Sequence, residues 1–122
     1  MLVRYYYIAI WSVIITGLSL APKSVFHEEK VHLFKGADKI VHFLMYFILM
    51  SIWCFATKKI LKEKRKQFII KGLVFGVFLG IILEILQKYL DIGRSFDTFD
   101  IIANTTGLFF VLLINKNCKD EF

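Results

Sequence analysis

Four long apolar runs divide this chain, and they restrict it to a small set of folds. Residues 5–21 carry no charged side chain, and three more apolar runs cover about residues 38–57, 68–90 and 99–114. At about 1.5 Å per residue, a helix of roughly 20 residues crosses a hydrocarbon core about 30 Å thick. The chain is also 57% hydrophobic, above the roughly 45–50% of a soluble domain. We therefore predict an all-α, four-helix transmembrane bundle.

The chain shows no sign of a second domain. It contains one proline and no internal repeat, so we expect a single transmembrane domain over residues 1–122. Ser19, Leu20 and Ala21 resemble a signal-peptide cleavage pattern, but Pro22 follows them and the leading charge is Arg4 alone. We therefore expect the first apolar run to remain as a spanning helix.

The basic segment between the second and third runs indicates the orientation. Residues 58–71, KKILKEKRKQFIIK, contain seven basic side chains and one acidic side chain, Glu63. Such a segment belongs in the cytoplasm under the positive-inside rule, where it also suits anionic lipids. Four spans then place both termini in the cytoplasm, which predicts a multi-pass protein of the cytoplasmic (inner) membrane. The segment has a single aromatic residue, Phe68, and none interleaved among the basic residues 58–66, so we predict no nucleic-acid binding.

Ionisable side chains near the helix ends are the candidates for function, because charge is costly at membrane depth. Asp38, His42 and Tyr46 share one helix face at i, i+4, i+8 spacing. Glu84 lies roughly 9 Å below the end of the third helix, and the topology above brings these side chains together at the outer surface. The candidate site comprises Asp38, His42, Tyr46, Glu84, Gln87, Arg94, Asp97, Asp100 and Asn104.

A purely structural interpretation of the same residues stays open. Asp38 and Asp97 suit helix caps, Tyr46 suits the headgroup level, and the other polar groups can hydrogen-bond across the bundle. Glu84 needs a partner in either interpretation, and we expect Arg94 or His42 to supply it.

Glycines recur on the third helix at every fourth position. Gly72, Gly76 and Gly80 form a stripe that continues into Glu84, and Gly107 shares a face with Asp100 on the fourth helix. Small residues let helix backbones approach closely in membranes, so we predict packing surfaces at these glycines. Whether the stripe packs within the chain or against a second copy stays open.

The histidines and cysteines outside the candidate site suggest no further chemistry. His27 and His32 lack the spacing of metal ligands, so we predict no metal and no cofactor. Cys54 is expected in the inner half of the membrane and Cys118 in the cytoplasmic tail, so we predict no disulfide. Ser95 has no nucleophile motif around it.

Several separated motifs occur in a fixed order along nearly the whole chain. They read Asp38-Lys39-x-x-His42-Phe43-x-x-Tyr46, then Glu84-x-x-Gln87, then Arg94-x-x-Asp97-x-x-Asp100-x-x-x-Asn104-x-x-Gly107. This order resembles the VanZ-like family of small bacterial integral membrane proteins. The family is named for a protein associated with tolerance of teicoplanin, a lipid-bearing glycopeptide antibiotic that binds cell-wall precursors. The resemblance implies a location in the bacterial cell envelope and a relation to antibiotic resistance.

Two functions fit these observations. In the first, an outward-facing polar pocket binds a lipid headgroup, a lipid-linked wall precursor or a lipoglycopeptide, with Arg94 and Lys88 meeting anionic groups. In the second, the protein is a membrane-embedded enzyme acting on a lipid-linked substrate, in which Glu84, His42 and an aspartate share acid and base roles or hold a metal. We favour binding, with membrane lipids as partners, and the residues leave catalysis open.

Overall fold

Four α-helices make up the part of the chain that the computed structural model describes, residues 2–20, 37–57, 62–90 and 98–115. The helices are α1 (Leu2–Leu20), α2 (Ala37–Thr57), α3 (Lys62–Tyr89) and α4 (Thr98–Ile114), and these residues include no strand. The prediction of an all-α, four-helix fold is confirmed.

Contacts between helix ends show that the helices run alternately up and down. Near the ends of α1 and α3, the Gln87 side chain donates a hydrogen bond of 2.7 Å to the Ser19 carbonyl. At the opposite end, Trp53 late in α2 donates one of 2.8 Å to the Phe68 carbonyl early in α3, and the Tyr5 ring meets Phe68 edge-on. The beginnings of α2 and α4 therefore lie beside the ends of α1 and α3. We call this the polar end of the bundle, and the end where α3 begins the basic end.

The glycines lie where helices approach one another most closely. A Cβ atom added to Gly107 would stand 2.4 Å from the Phe43 carbonyl oxygen, so only glycine allows α4 to pack this closely on α2, its most extensive neighbour. On α3, Gly72 packs under the Trp53 ring and Gly76 against Leu108. Each of these contacts lies within the chain.

The outer surface of the bundle is apolar, whereas several polar side chains are inside. Large apolar side chains such as Val13 (71% exposed) and Leu113 (68%) face outward, while Glu84 and Gln87 are each only 1% exposed. This reverses the usual pattern of a soluble protein, and extended exposed apolar surface is typical of membrane contact. Two segments, Lys39–Ala56 and Lys62–Tyr89, are long and apolar enough to cross a membrane, and α1 and α4 contain shorter apolar helices.

The beginning of α3 differs from the sequence-based prediction. The helix starts at Lys62, within the segment predicted as a basic loop, rather than at about residue 68. Lysine, arginine, glutamate and glutamine are strong helix formers, and Glu63 in the first turn complements the positive helix dipole there. Residues 62–71 of the basic segment are therefore helical rather than a loop, and most of residues 62–67 are exposed.

Cys54 also differs from its prediction. It is buried near the end of α2 and forms a disulfide, so the prediction of no disulfide is wrong. The prediction for Cys118 lies outside the described residues. Helix packing decides whether two sulfurs come within bonding distance, and the sequence pattern does not reveal that proximity.

Candidate functional site

Three buried ionisable side chains meet near the polar end of the bundle. His42 comes from the second turn of α2, Glu84 from the last two turns of α3, and Asp100 from the first turn of α4. One nitrogen or oxygen atom from each lies within 4.8 Å of the other two. We call these three residues the His–Glu–Asp cluster. It forms because the alternating helix directions bring the beginnings of α2 and α4 next to the end of α3.

Lys39 links the cluster to the surface. Its ammonium group forms an ion pair with Oδ1 of Asp100, and Oδ2 of the same carboxylate lies 3.6 Å from Nε2 of His42. The Lys39 side chain is 30% exposed, whereas those of Asp100 and His42 are 9% and 7% exposed. A continuous series of ionisable groups therefore leads from the surface of the polar end to Glu84 inside the bundle.

A second polar layer lies one helical turn further into the bundle. It contains Tyr46 from α2 and Asn104 from α4, both buried, together with Gly80 from α3. A Cβ atom at Gly80 would stand 3.0 Å from Nδ2 of Asn104 and 3.5 Å from the Tyr46 hydroxyl. Gly80 therefore leaves the room that these two polar side chains occupy. Oδ1 of Asn104 is buried and has no hydrogen-bond partner among the described residues.

Tyr46 is also coupled to the cluster. It lies close enough to the Glu84 carboxylate for the two to interact electrostatically. The two layers are therefore parts of one polar region that extends along α2, α3 and α4.

The structure brings together five of the residues that the sequence analysis proposed: His42, Tyr46, Glu84, Asp100 and Asn104. Gln87 is buried close by, but its amide nitrogen bonds the α1 backbone, which gives it a role in helix packing.

The structure does not describe the side chains of the remaining proposed residues. Asp38 lies in the first turn of α2, and its side chain is not described. Arg94 and Asp97 lie outside the described residues. The pairing of Glu84 with Arg94 therefore stays a prediction.

Sequence reasoning missed Lys39 as a member of the site. The signal was present, because Lys39 and His42 are three residues apart and share a helix face with Tyr46. A lysine at the beginning of an apolar helix also calls for an anionic partner. That partner, Asp100, lies 61 residues further along the chain, a separation that no local pattern reveals.

The charges of the cluster define what it can do chemically. The buried carboxylates of Glu84 and Asp100 lie near the His42 imidazole and the partly exposed Lys39 ammonium group. Buried charge is costly unless it is paired. Such a site can hold a cation, exchange protons, or receive a ligand that carries both signs of charge.

Two grooves lie elsewhere, on the apolar surface. One, of about 410 Å³, runs along α4 beside Thr105 and Phe109, and the other, of about 530 Å³, lies between α1 and α2 beside Trp11 and Ser51. Neither groove includes a member of the cluster, so an open polar pocket stays a proposal.

These features define a class of protein, a small helical bundle with an apolar outer surface and a buried ionisable cluster at one end. The family model described as VanZ/LLP1 matches residues 4–118, and the chain belongs to this family. The resemblance found in the motifs is thereby confirmed. Membership in this family supports, at the level of the family, a membrane protein related to glycopeptide resistance.

One curated relative comes from Schizosaccharomyces pombe (strain 972 / ATCC 24843) and has the name "Uncharacterized protein C11E3.10". It is 39% identical to this chain over 80 residues, which cover 64% of this chain and 46% of the relative. The chain thus spans about half of the length of that relative. No solved structure matches the chain.

Proposed function

We propose that the protein is a multi-pass protein of the bacterial cytoplasmic membrane that binds the polar head of an amphiphilic envelope ligand. The ligand is a lipid headgroup, a lipid-linked wall precursor or a lipoglycopeptide, and its polar head binds at the polar end of the bundle. By this binding the protein contributes to glycopeptide tolerance.

The observation that carries the proposal is the buried cluster with its charged connection to the surface. Ionisable groups at membrane depth are costly and commonly mark functional sites. Lys39 is partly exposed and can meet a phosphate or carboxylate, while Asp100 and Glu84 can meet an amine. An amphiphile would place its polar head at the cluster and keep its lipid tail along the apolar outer surface of the helices.

Two further facts support the place of the site. Membership in the VanZ/LLP1 family supports a role related to glycopeptides. The basic residues at the beginning of α3 lie at the opposite end of the bundle from the cluster, and the positive-inside rule favours the cytoplasm for that basic end. The polar end would then face the outside, where wall precursors and glycopeptides meet.

The proposal is tested by measuring drug tolerance and membrane abundance in the same cells of a teicoplanin-sensitive host. Glu84→Gln and Asp100→Asn change charge with little change in shape. We expect both variants to reach the membrane in normal amounts and to lose the tolerance that the wild-type protein confers. Glu63→Gln makes the same chemical change at an exposed position of α3, so it should keep full tolerance.

Other results would contradict the proposal. Full tolerance in both cluster variants at normal abundance would show that the charges are not needed. Tolerance that falls only in proportion to abundance would favour a structural role for the polar residues, because neutralising a buried carboxylate often preserves stability when its hydrogen bonds survive.

The second candidate, an enzyme acting on a lipid-linked substrate, is favoured by one observation. His42 and Asp100 lie 3.6 Å apart with Glu84 beside them, and an imidazole among carboxylates can take and return protons. If the protein is such an enzyme, the purified wild type forms product from a lipid-linked precursor and Glu84→Gln forms none.

A further inference from the structure

We propose that His42, Glu84 and Asp100 together bind one divalent transition-metal ion, and that Zn²⁺ fits the three ligands best. The sequence analysis predicted no metal, although its enzyme alternative allowed Glu84, His42 and an aspartate to hold one. The proposal therefore rests on the geometry of the folded bundle, where residues from three helices supply one imidazole and two carboxylates.

The distance between His42 and Asp100 suits a shared ion better than a direct hydrogen bond. Nε2 of His42 and Oδ2 of Asp100 are 3.6 Å apart, beyond the roughly 2.7–3.2 Å of a hydrogen bond. Two ligands of a tetrahedral Zn²⁺ at about 2.1 Å stand roughly 3.4 Å apart. All three residues offer an atom within a space of 4.8 Å, so small side-chain movements would bring all three into contact with one ion.

The ligand types narrow the choice of metal. Mg²⁺ and Ca²⁺ prefer oxygen ligands alone, so an imidazole disfavours them. Copper(I) prefers sulfur, and the cluster has none. Imidazole nitrogen and carboxylate oxygen are both ligands of Zn²⁺, and three protein ligands leave a fourth position for water or for an oxygen of a bound molecule.

Lys39 supports this arrangement rather than replacing it. It contacts Oδ1 of Asp100, while Oδ2 faces His42. A carboxylate held in this way through one oxygen presents the other in a defined direction, as outer partners do for metal ligands.

A second observation points to a bound species beside the cluster. Asn104 is 3% exposed, and its Oδ1 atom has no hydrogen-bond partner among the described residues. A buried amide oxygen without a donor is costly. Asn104 is one turn along α4 from Asp100, so a metal-bound water can donate to this oxygen.

The test uses the full chain, purified through a tag without histidine and then freed of metal with a chelator. Co²⁺ is the first probe, because its visible absorption reports four-coordinate binding by nitrogen and oxygen. We expect one Co²⁺ per chain, displaced by Zn²⁺. Glu84→Gln and Asp100→Asn should bind at least roughly tenfold more weakly, whereas the exposed control Glu63→Gln should bind like the wild type.

A second experiment does not depend on how the cluster variants fold. The chain contains three histidines, His27, His32 and His42. In a variant that carries both His27→Gln and His32→Gln, X-ray absorption of bound Zn²⁺ should still show one histidine nitrogen, which must then belong to His42. This measurement needs no envelope ligand, so it can fail while the proposed function survives.

Three results would overturn the metal site. The first is wild-type protein that shows no saturable binding of one ion per chain. The second is loss of binding when the two loop histidines are replaced. The third is unchanged affinity in folded Glu84→Gln and Asp100→Asn.

Discussion

Asp100 connects the surface of the polar end to the interior because its two carboxylate oxygens face different nitrogen groups. Oδ1 meets Lys39 and Oδ2 faces His42. The carboxylate can therefore hold the exposed and the buried parts of the site in one arrangement. An asparagine at this position keeps the shape but removes the charge on which both contacts depend, which is why Asp100→Asn is an informative variant.

Gly107 allows the first of our stability predictions. In Gly107→Ala, the new methyl group would stand 2.4 Å from the Phe43 backbone oxygen, so α4 must move away from α2. We expect a loss of about 1–3 kcal/mol, as for other overpacked sites. The loss should appear as a lower midpoint of thermal unfolding in detergent.

Gly17→Ala is the matched control for this prediction. A Cβ atom there meets nothing within 4 Å, and alanine favours helix by up to about 1 kcal/mol over glycine. The control should be as stable as the wild type or more so. Equal stability of the two variants would mean that α2 and α4 do not pack as closely at Gly107 as the structure shows.

The helices themselves were largely predictable from the sequence, because apolar runs of spanning length have few alternatives. The beginning of α3 was not, since lysine and glutamate are common both in solvated loops and in exposed helical turns. Hydrophobicity therefore indicated the apolar part of α3. The helix begins earlier, at Lys62, because the charged residues before the apolar part also favour helix.

The candidate site was predictable only in part. Spacing along one helix placed His42 and Tyr46 on the same face, and the alternation of helices brought Glu84 and Asp100 to the same end. The individual partners depend on how each helix is rotated and how deeply it sits. For that reason the contacts from Lys39 to Asp100 and from Gln87 to Ser19 were not visible before the fold was known.

The orientation of the whole molecule is the next prediction, and two features of the basic end disagree about it. Its basic residues favour the cytoplasm, whereas a disulfide at Cys54 is unusual in a reducing compartment. We give the charges more weight, because they act during membrane insertion. The polar end is therefore predicted to face outward.

Thiol labelling of whole cells tests this orientation. In a background with Cys54→Ser and Cys118→Ser, a membrane-impermeant maleimide should modify Ser95→Cys, in the segment between α3 and α4. It should leave Lys64→Cys, at the basic end of α3, unmodified until the cells are opened. The opposite pattern would invert the topology and place the cluster on the cytoplasmic side.

The charged side chains at the polar end are proposed to bind an envelope ligand. This binding is tested by equilibrium titration of teicoplanin and of a lipid-linked wall precursor against the purified protein in phospholipid nanodiscs. We predict saturable binding of at least one of them by the wild type and by Glu63→Gln, and at least roughly tenfold weaker binding by folded Glu84→Gln. Binding no greater than to empty nanodiscs, or equal affinity in Glu84→Gln, would contradict the claim.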